Sequence, residues 1–233
     1  MQVPAEPPGP AQKLLSEVKP MKVYPIPVGT MGTNCYIVAD GDASVVIDPG
    51  FQAEKLEAFL RGKGLDPEYI LLTHGHYDHI GAVRALREAF GCKLAVGRRD
   101  LEMLADRRKS LAIMRGMTDE DYLLTPDLLL DEGDVVTAGP MRFEVIDTPG
   151  HTAGGVSYKC GDLLFTGDTL FAGDIGRIDL YGGDYPSMLA SLKKLAALPG
   201  DYRVLPGHGP ESTLEWERRH NPYMSGAPHD GLY

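Results

Sequence analysis

Three histidines and an aspartate crowd into the six residues from His74 to His79, inside the stretch ILLTHGHYDHIGAV, in a chain of 233 residues that holds only seven histidines. Imidazole and carboxylate at this density suit a metal ion, because a cation needs several lone pairs brought to one point. His74 and His76 stand two apart, which in extended chain puts both on one side, whereas Asp78 and His79 open the next segment and can serve a second position. Three further loops each carry a single candidate: His151 in TPGHT, Asp168 in FTGDTL and His208 in LPGHGP. Each candidate follows a short apolar run and has a glycine beside it. His220 and His229 fall outside every motif and are expected to be hydrogen-bonded core residues or simply exposed. A structural zinc site closes with four ligands, commonly cysteines, and the chain has no CxxC pair. Seven candidates suggest instead two partly open cation sites sharing a water or hydroxide, with an aspartate able to bridge them. Neutral imidazole suits zinc, iron or manganese equally.

Loops at the ends of adjacent strands would bring such groups together, and the sequence supplies the strands. MKVYPIPVG, NCYIVAD and SVVIDPG read as a β meander, with Asp40, Gly41 and Asp42 as turn residues. Leu56, Phe59 and Leu60 mark a helix over Glu54–Leu65, and EYILL a strand ending at Thr73. Ile80, Val83, Leu86 and Phe90 recur at helical steps up to Gly91, so the histidine cluster sits in a strand-to-helix turn. CKLAVG is a further strand. RRDLEMLADRRKSLAIMRGMTDEDYLL is helical in composition, its charges reading as a solvated face. MRFEVID alternates as a half-buried strand, and GVSYKC and LLFTG form a hairpin about Gly161 and Asp162. Leu189, Leu192, Leu195 and Leu198 mark another helix, YRVLPG a last strand and ESTLEWERR a last helix. About ten strands with helices in both halves predict an α+β chain of two face-to-face sheets with helices outside.

Composition narrows the function classes. A hydrophobic fraction of 43%, a charged fraction of 24% and no apolar run of membrane-spanning length describe an ordinary globular chain with no membrane partner. Residues 1–20 contain five prolines and neither a basic start nor an apolar core, so they read as a flexible tail rather than a signal peptide. Residues 21–233 are expected to form a single domain in the cytoplasm. Cys35, Cys92 and Cys160 make no even framework and are expected to be free buried thiols. A net charge of −10 argues against nucleic acid as a partner. Oligomeric state has no signal in the sequence.

The motifs HGHYDH, His151, Asp168 and His208, with Asp48 upstream in VIDPG, resemble the pattern of the metallo-β-lactamase superfamily over residues 22 to about 222. The resemblance implies an αββα sandwich of two mixed β-sheets, with a metal site at one edge. It implies that His74, His76 and His151 hold a first metal, that Asp78, His79 and His208 hold a second, that Asp168 bridges them and that Asp48 supports them from behind. The two ions are expected to be zinc, with iron or manganese as alternatives. The main zinc β-lactamase classes carry a cysteine or histidine where this chain has Asp168, so lactam hydrolysis is not expected. TNCYIV, GDTLFAGDIGRIDLYGG and PGHGPESTLEWERRHNPYM resemble glyoxalase II and its short bacterial relatives. That branch implies hydrolysis of small acyl thioesters such as S-lactoylglutathione by metal-activated hydroxide, with Asp78 and Asp168 catalytic. Full-length glyoxalase II adds a C-terminal helical domain that forms much of its glutathione site, and about 25 residues follow His208 here. Dependence on glutathione is therefore expected to be weak. Arg177 is a candidate to grip a substrate carboxylate, or else pairs with Asp179 or Asp174. Tyr181 is a second candidate for substrate binding, and Met114 is assigned to core packing in preference to the acyl pocket. An iron-dependent persulfide dioxygenase, using the counterparts of His74, His151 and Asp168, is the alternative activity. A metal-binding regulatory protein without turnover is a third reading.

Overall fold

The computed structural model describes residues 21–115 and 122–225. The predicted tail and His229 lie outside the described residues. β1 (Lys22–Val28), β2 (Thr33–Asp40) and β3 (Ala43–Ile47) run as an antiparallel meander. From β3 the sheet continues in parallel through β4 (Asp66–Leu71), β5 (Lys93–Gly97) and β6 (Leu128–Leu130). The parallel steps are possible because helices intervene: α1 (Ala53–Lys63) between β3 and β4, and α2 (Tyr77–Ile80) and α3 (Val83–Phe90) between β4 and β5. The short α4 (Leu101–Ala105) follows β5.

The second sheet is built from β7 (Val135–Ala138), β8 (Met141–Asp147), β9 (Val156–Cys160), β10 (Leu163–Gly167), β13 (Arg203–Pro206) and β14 (Ser212–Thr213), in the spatial order β14-β13-β10-β9-β8-β7. Only β10 and β13 pair in parallel, and α5 (Tyr185–Ala196) lies between them in the chain. A two-stranded ribbon of β11 (Leu170–Phe171) and β12 (Asp174–Ile175) precedes α5, and α6 (Leu214–His220) closes the chain's described part.

Alternation along the strands builds four layers. Tyr36, Val38, Val45, Ile47 and Leu71 of the first sheet meet Phe143, Val145, Tyr158, Phe165 and Leu205 of the second. The opposite faces of the same strands, Cys35, Ile37, Val46 and Ile70, pack on Leu56 and Leu60 of α1 and Val83 and Leu86 of α3. On the far side, Ile146, Leu164 and Val204 pack on Met188, Leu192 and Leu195 of α5 and Leu214 of α6. This is the expected αββα sandwich of two mixed sheets, and all three cysteines are free and buried.

Three local expectations are corrected. The helical reading of residues 98–124 fails after Ala105, where the Asp106 carboxylate accepts from the Arg108 amide, an Asx bond that competes with helix. Leu111 then adopts φ 65, and residues 116–121 are outside the described residues. The helix after the histidine cluster is broken at Gly81 and Ala82, because the Ala82 amide donates to Pro49 O at 2.9 Å instead of continuing the ladder. Among the described residues fourteen strands replace about ten; β6, β7, β11, β12 and β14 are too short, or too weakly alternating, to read from sequence.

Candidate metal centre

β4, β8, β10 and β13 end at Leu71, Asp147, Gly167 and Pro206, and each is followed by one of the four candidate loops. Backbone bonds sew the loops together: Val156 N donates to Thr73 O at 2.9 Å, and Gly207 N to Gly167 O at 2.8 Å. His74, His76 and His151 come together as one group, Asp78, His79 and His208 as another, and Asp168 joins His74 and His79. Within each group the donor atoms lie within 4.8 Å of one another. All seven expected ligands thus meet at one edge of the sandwich.

Four of the five imidazoles are aimed by a bond to their other nitrogen. His79 Nδ1 bonds Asp48 Oδ2 at 3.0 Å, leaving Nε2 at 3.4 Å from Asp168 Oδ1. His74 Nδ1 lies 3.0 Å from Thr73 Oγ1, whose hydroxyl donates to Asp48 Oδ2 at 2.6 Å. His151 Nδ1 donates to Arg177 O at 2.7 Å, and its Nε2 stands 2.9 Å from His76 Nδ1 and 3.5 Å from Asp168 Oδ2. His208 Nδ1 donates to Met31 O at 3.3 Å, and its Nε2 lies 3.3 Å from Asp78 Oδ2 and 3.5 Å from Asp168 Oδ2. Asp168 therefore reaches both groups, as a bridging carboxylate must. Asp48 does its tying from a left-handed backbone, φ 50, and also accepts the Thr73 amide at 2.8 Å.

Burial, then the neighbouring imidazoles, hold His74 and His76 well below the usual histidine range, so both are neutral and able to donate lone pairs. Burial acts to raise the Asp78 carboxyl, but His79 and His208 outweigh it and hold it well below the usual range. Burial would also lower His79, yet Asp168, Asp78 and Asp48 push it up to about 10. Three carboxylates around one buried imidazole thus favour its protonated form, the field of a site that attracts cations. The fit to metal rests on atoms left over: His74 Nε2, His76 Nε2 and Asp168 Oδ1 are buried with no hydrogen-bond partner. Such orphans are costly unless something satisfies them, and a divalent cation does so for nitrogen and carboxylate lone pairs alike. The space is kept by glycine: a Cβ on Gly207 would lie 2.1 Å from Asp168 Oδ1.

The centre opens into a cavity of about 600 Å³. Arg177 lines it, but its guanidinium is paired with Asp179 through two bonds of 2.7 Å. Tyr181 is not among the residues that line the cavity; its hydroxyl donates to Glu102 and Lys109 lies over its ring. Met114, expected in the core, is 76% exposed and lines the cavity, following the buried Ala112 and the exposed Ile113. His220 is exposed and stacks on Trp216.

Sequence reasoning passed over several residues that hold the site. Asp100 is completely buried: Oδ2 accepts from Gly75 N at 3.0 Å and Thr152 Oγ1 at 2.8 Å, and Oδ1 accepts from Gly154 N at 2.7 Å. It joins the loop of His74 and His76 to the loop of His151. Its place after a strand end and a glycine matches the ligand loops, but Arg98 and Arg99 disguise it as surface charge. Asn34, in TNCYIV, donates through Nδ2 to Pro206 O and Gly209 O and holds the His208 loop. Glu217 and Asn221, in the C-terminal motif, bond Gly173 N and Asp174 O and so hold the β11–β12 ribbon.

A family model described as the metallo-beta-lactamase superfamily matches residues 28–208. The probable metallo-hydrolase YqgX of Bacillus subtilis is 38% identical over 210 residues, covering 88% of this chain and 99% of that protein. The hydroxyacylglutathione hydrolase GloC of Haemophilus influenzae is 33% identical over 209 residues, with the same coverage. Among solved structures, the BLEG-1 B3 metallo-beta-lactamase superposes with a TM-score of 0.80 at 39% identity, covering 88% of this chain and 100% of that one. TTHA1623 in a di-iron-bound form does so with a TM-score of 0.78 at 40% identity, covering 86% and 100%.

Proposed function

Because the chain belongs to the metallo-β-lactamase superfamily, whose members include metallo-hydrolases, we propose that it hydrolyses small acyl thioesters such as S-lactoylglutathione at a two-metal centre. One observation supports this most: seven donors from four loops converge beside a substrate-sized cavity, with buried nitrogen and carboxylate atoms left unpaired. His74, His76 and His151 would hold one ion and Asp78, His79 and His208 the other, with Asp168 between them. Zinc is the expected metal, and the di-iron form of a 40% identical structure keeps iron as an alternative. Bound divalent ions would supply Lewis-acid polarisation of a carbonyl and lower the pKa of water to about 7.

The protein's own groups do the rest. Asp78, a carboxylate on the cavity wall, accepts one hydrogen of the attacking water and so orients its oxygen. Asp168 faces both donor groups and fixes their separation. In the reaction that water gives up one proton, through Asp78 to solvent, its oxygen forms the new bond to the acyl carbon, and the C–S bond breaks with its electron pair leaving on sulfur, so that the products are the carboxylic acid and the thiolate. A thiolate is a weak base, so no strong general acid is needed. No Ser-His-Asp arrangement is required.

The test pairs metal analysis with a substrate panel. Two ions per chain and turnover of S-lactoylglutathione support the reading. One iron per chain with oxygen uptake on glutathione persulfide would replace it with the dioxygenase. Hydrolysis of a β-lactam at a comparable rate would favour the lactamase activity for which the 39% identical BLEG-1 protein is named.

A further inference from the structure

Beside the metal donors, three segments that carry none of them line the cavity. Met31 comes from the β1–β2 turn, Leu111 and Met114 from the chain after α4, and Phe171 and Leu180 from the segment of β11 to the start of α5. All five are apolar, and Met31 and Met114 are exposed to solvent. Thioether side chains that project from a rim adapt to apolar ligands of varied shape. Leu111 is held at φ 65 by backbone bonds from Met114 N to Leu111 O and from Ile113 N to Arg107 O. Glycine would adopt that conformation without strain, yet a leucine lines the cavity there.

Charge points the same way. Among the described side chains Arg177 brings the only guanidinium or ammonium to the cavity wall, and it is already doubly bonded to Asp179. A substrate carboxylate could only exchange with Asp179, one exposed pair for another of nearly equal energy, so little net attraction results. Glutathione carries two carboxylates and one ammonium, and would enter a chain whose net charge is −10. From these facts, and resting on the thioester reading above, we infer that the cavity selects thioesters with an apolar acyl chain and an uncharged thiol portion over glutathione thioesters.

The full chain, with its metal content measured, tests this by binding and by turnover. Calorimetry with two thioethers, S-hexyl-N-acetylcysteamine and S-hexylglutathione, reads the wall without chemistry. The neutral compound should bind at least about tenfold tighter, and each methylene added between ethyl and hexyl should tighten binding by up to about fourfold. Met114→Lys, at an exposed position that the core does not need, should narrow the preference several-fold by placing an ammonium on the wall. Equal or tighter binding of S-hexylglutathione, no dependence on chain length, and no effect of Met114→Lys would overturn the inference. Matched S-hexanoyl thioesters of the two thiols then separate the two levels. A kcat/KM that follows the binding order supports both the reading and the inference. Neutral thioether binding without turnover of either thioester sinks the thioester reading and leaves the apolar selectivity standing.

Discussion

Asp100→Asn is the sharpest probe of how the centre is held. The substitution keeps the volume and replaces one carboxylate oxygen by NH2. With the amide oxygen at the Oδ1 position, Gly154 N keeps its acceptor, the Thr152 hydroxyl can rotate to accept, and the NH2 faces the Gly75 N–H. Flipped, the oxygen serves Gly75 and Thr152 and the NH2 faces the Gly154 N–H. Either way one buried backbone donor is stranded, a cost of about 1–3 kcal/mol. Burial raises the Asp100 carboxyl above its usual range, so removing the charge recovers some desolvation and the loss belongs toward the lower end. The strands it leaves untouched carry most of the core, so the loss should be felt locally, as freer opening of the loops of His74, His76 and His151. If that opening competes with ion binding, the same 1–3 kcal/mol corresponds to about a 5- to 150-fold weaker affinity for one ion per chain. Titration of the metal-stripped variant with cobalt or zinc, beside hydrogen exchange of residues 73–77 and 150–155, measures both. Native affinity for both ions, with a lowered melting temperature and unchanged exchange in those loops, would refute the reasoning and make Asp100 an ordinary core residue.

Asp168→Ala should abolish hydrolysis and leave circular dichroism near native, because the carboxylate faces both donor groups and packs no core; retained turnover would remove it from the bridge. Gly207→Ala should cost the metals and the activity together, since its methyl would sit 2.1 Å from Asp168 Oδ1 and 2.8 Å from His79 Cε1; elemental analysis that still finds native metal content would contradict this. Arg177→Ala should change kcat/KM for S-lactoylglutathione by less than about threefold, because its guanidinium is already committed to Asp179 in an exposed pair. Glu217→Ala should speed hydrogen exchange at Gly173 and the β11–β12 ribbon without altering metal content, because its carboxylate holds that backbone and reaches no ion.

The metal donors were legible because their chemistry demands particular residue types at strand ends, and both the type and the apolar run before it are written in one dimension. The two sheets were legible for a related reason: β8 alternates, while β2, β3 and β5 bury both faces and so read as short apolar runs. What stayed hidden depends on partners far away in sequence. Asp100 looks like one more surface acid until Gly75, Thr152 and Gly154 fold around it, and Arg98, two residues earlier, really is an exposed partner of Asp131. Met114 left the core for the cavity wall in a segment shaped by an Asx bond at Asp106 and a left-handed Leu111, neither of which has a periodic signature.

The donors run from His74 to His208, and the parallel pairing of β10 with β13 has a consequence for the order in which the molecule is made. No emerging fragment owns the whole centre. On a chain growing from its N-terminus, His74, His76 and His151 are present well before His208, which needs β13 to dock beside β10 across the length of α5. A complete pair of sites therefore needs the finished sandwich, the trio of histidines becoming available first and His208 completing the second position last. Metal uptake during synthesis would then act as a marker of finished topology, and a chain stalled before β13 would carry half a centre.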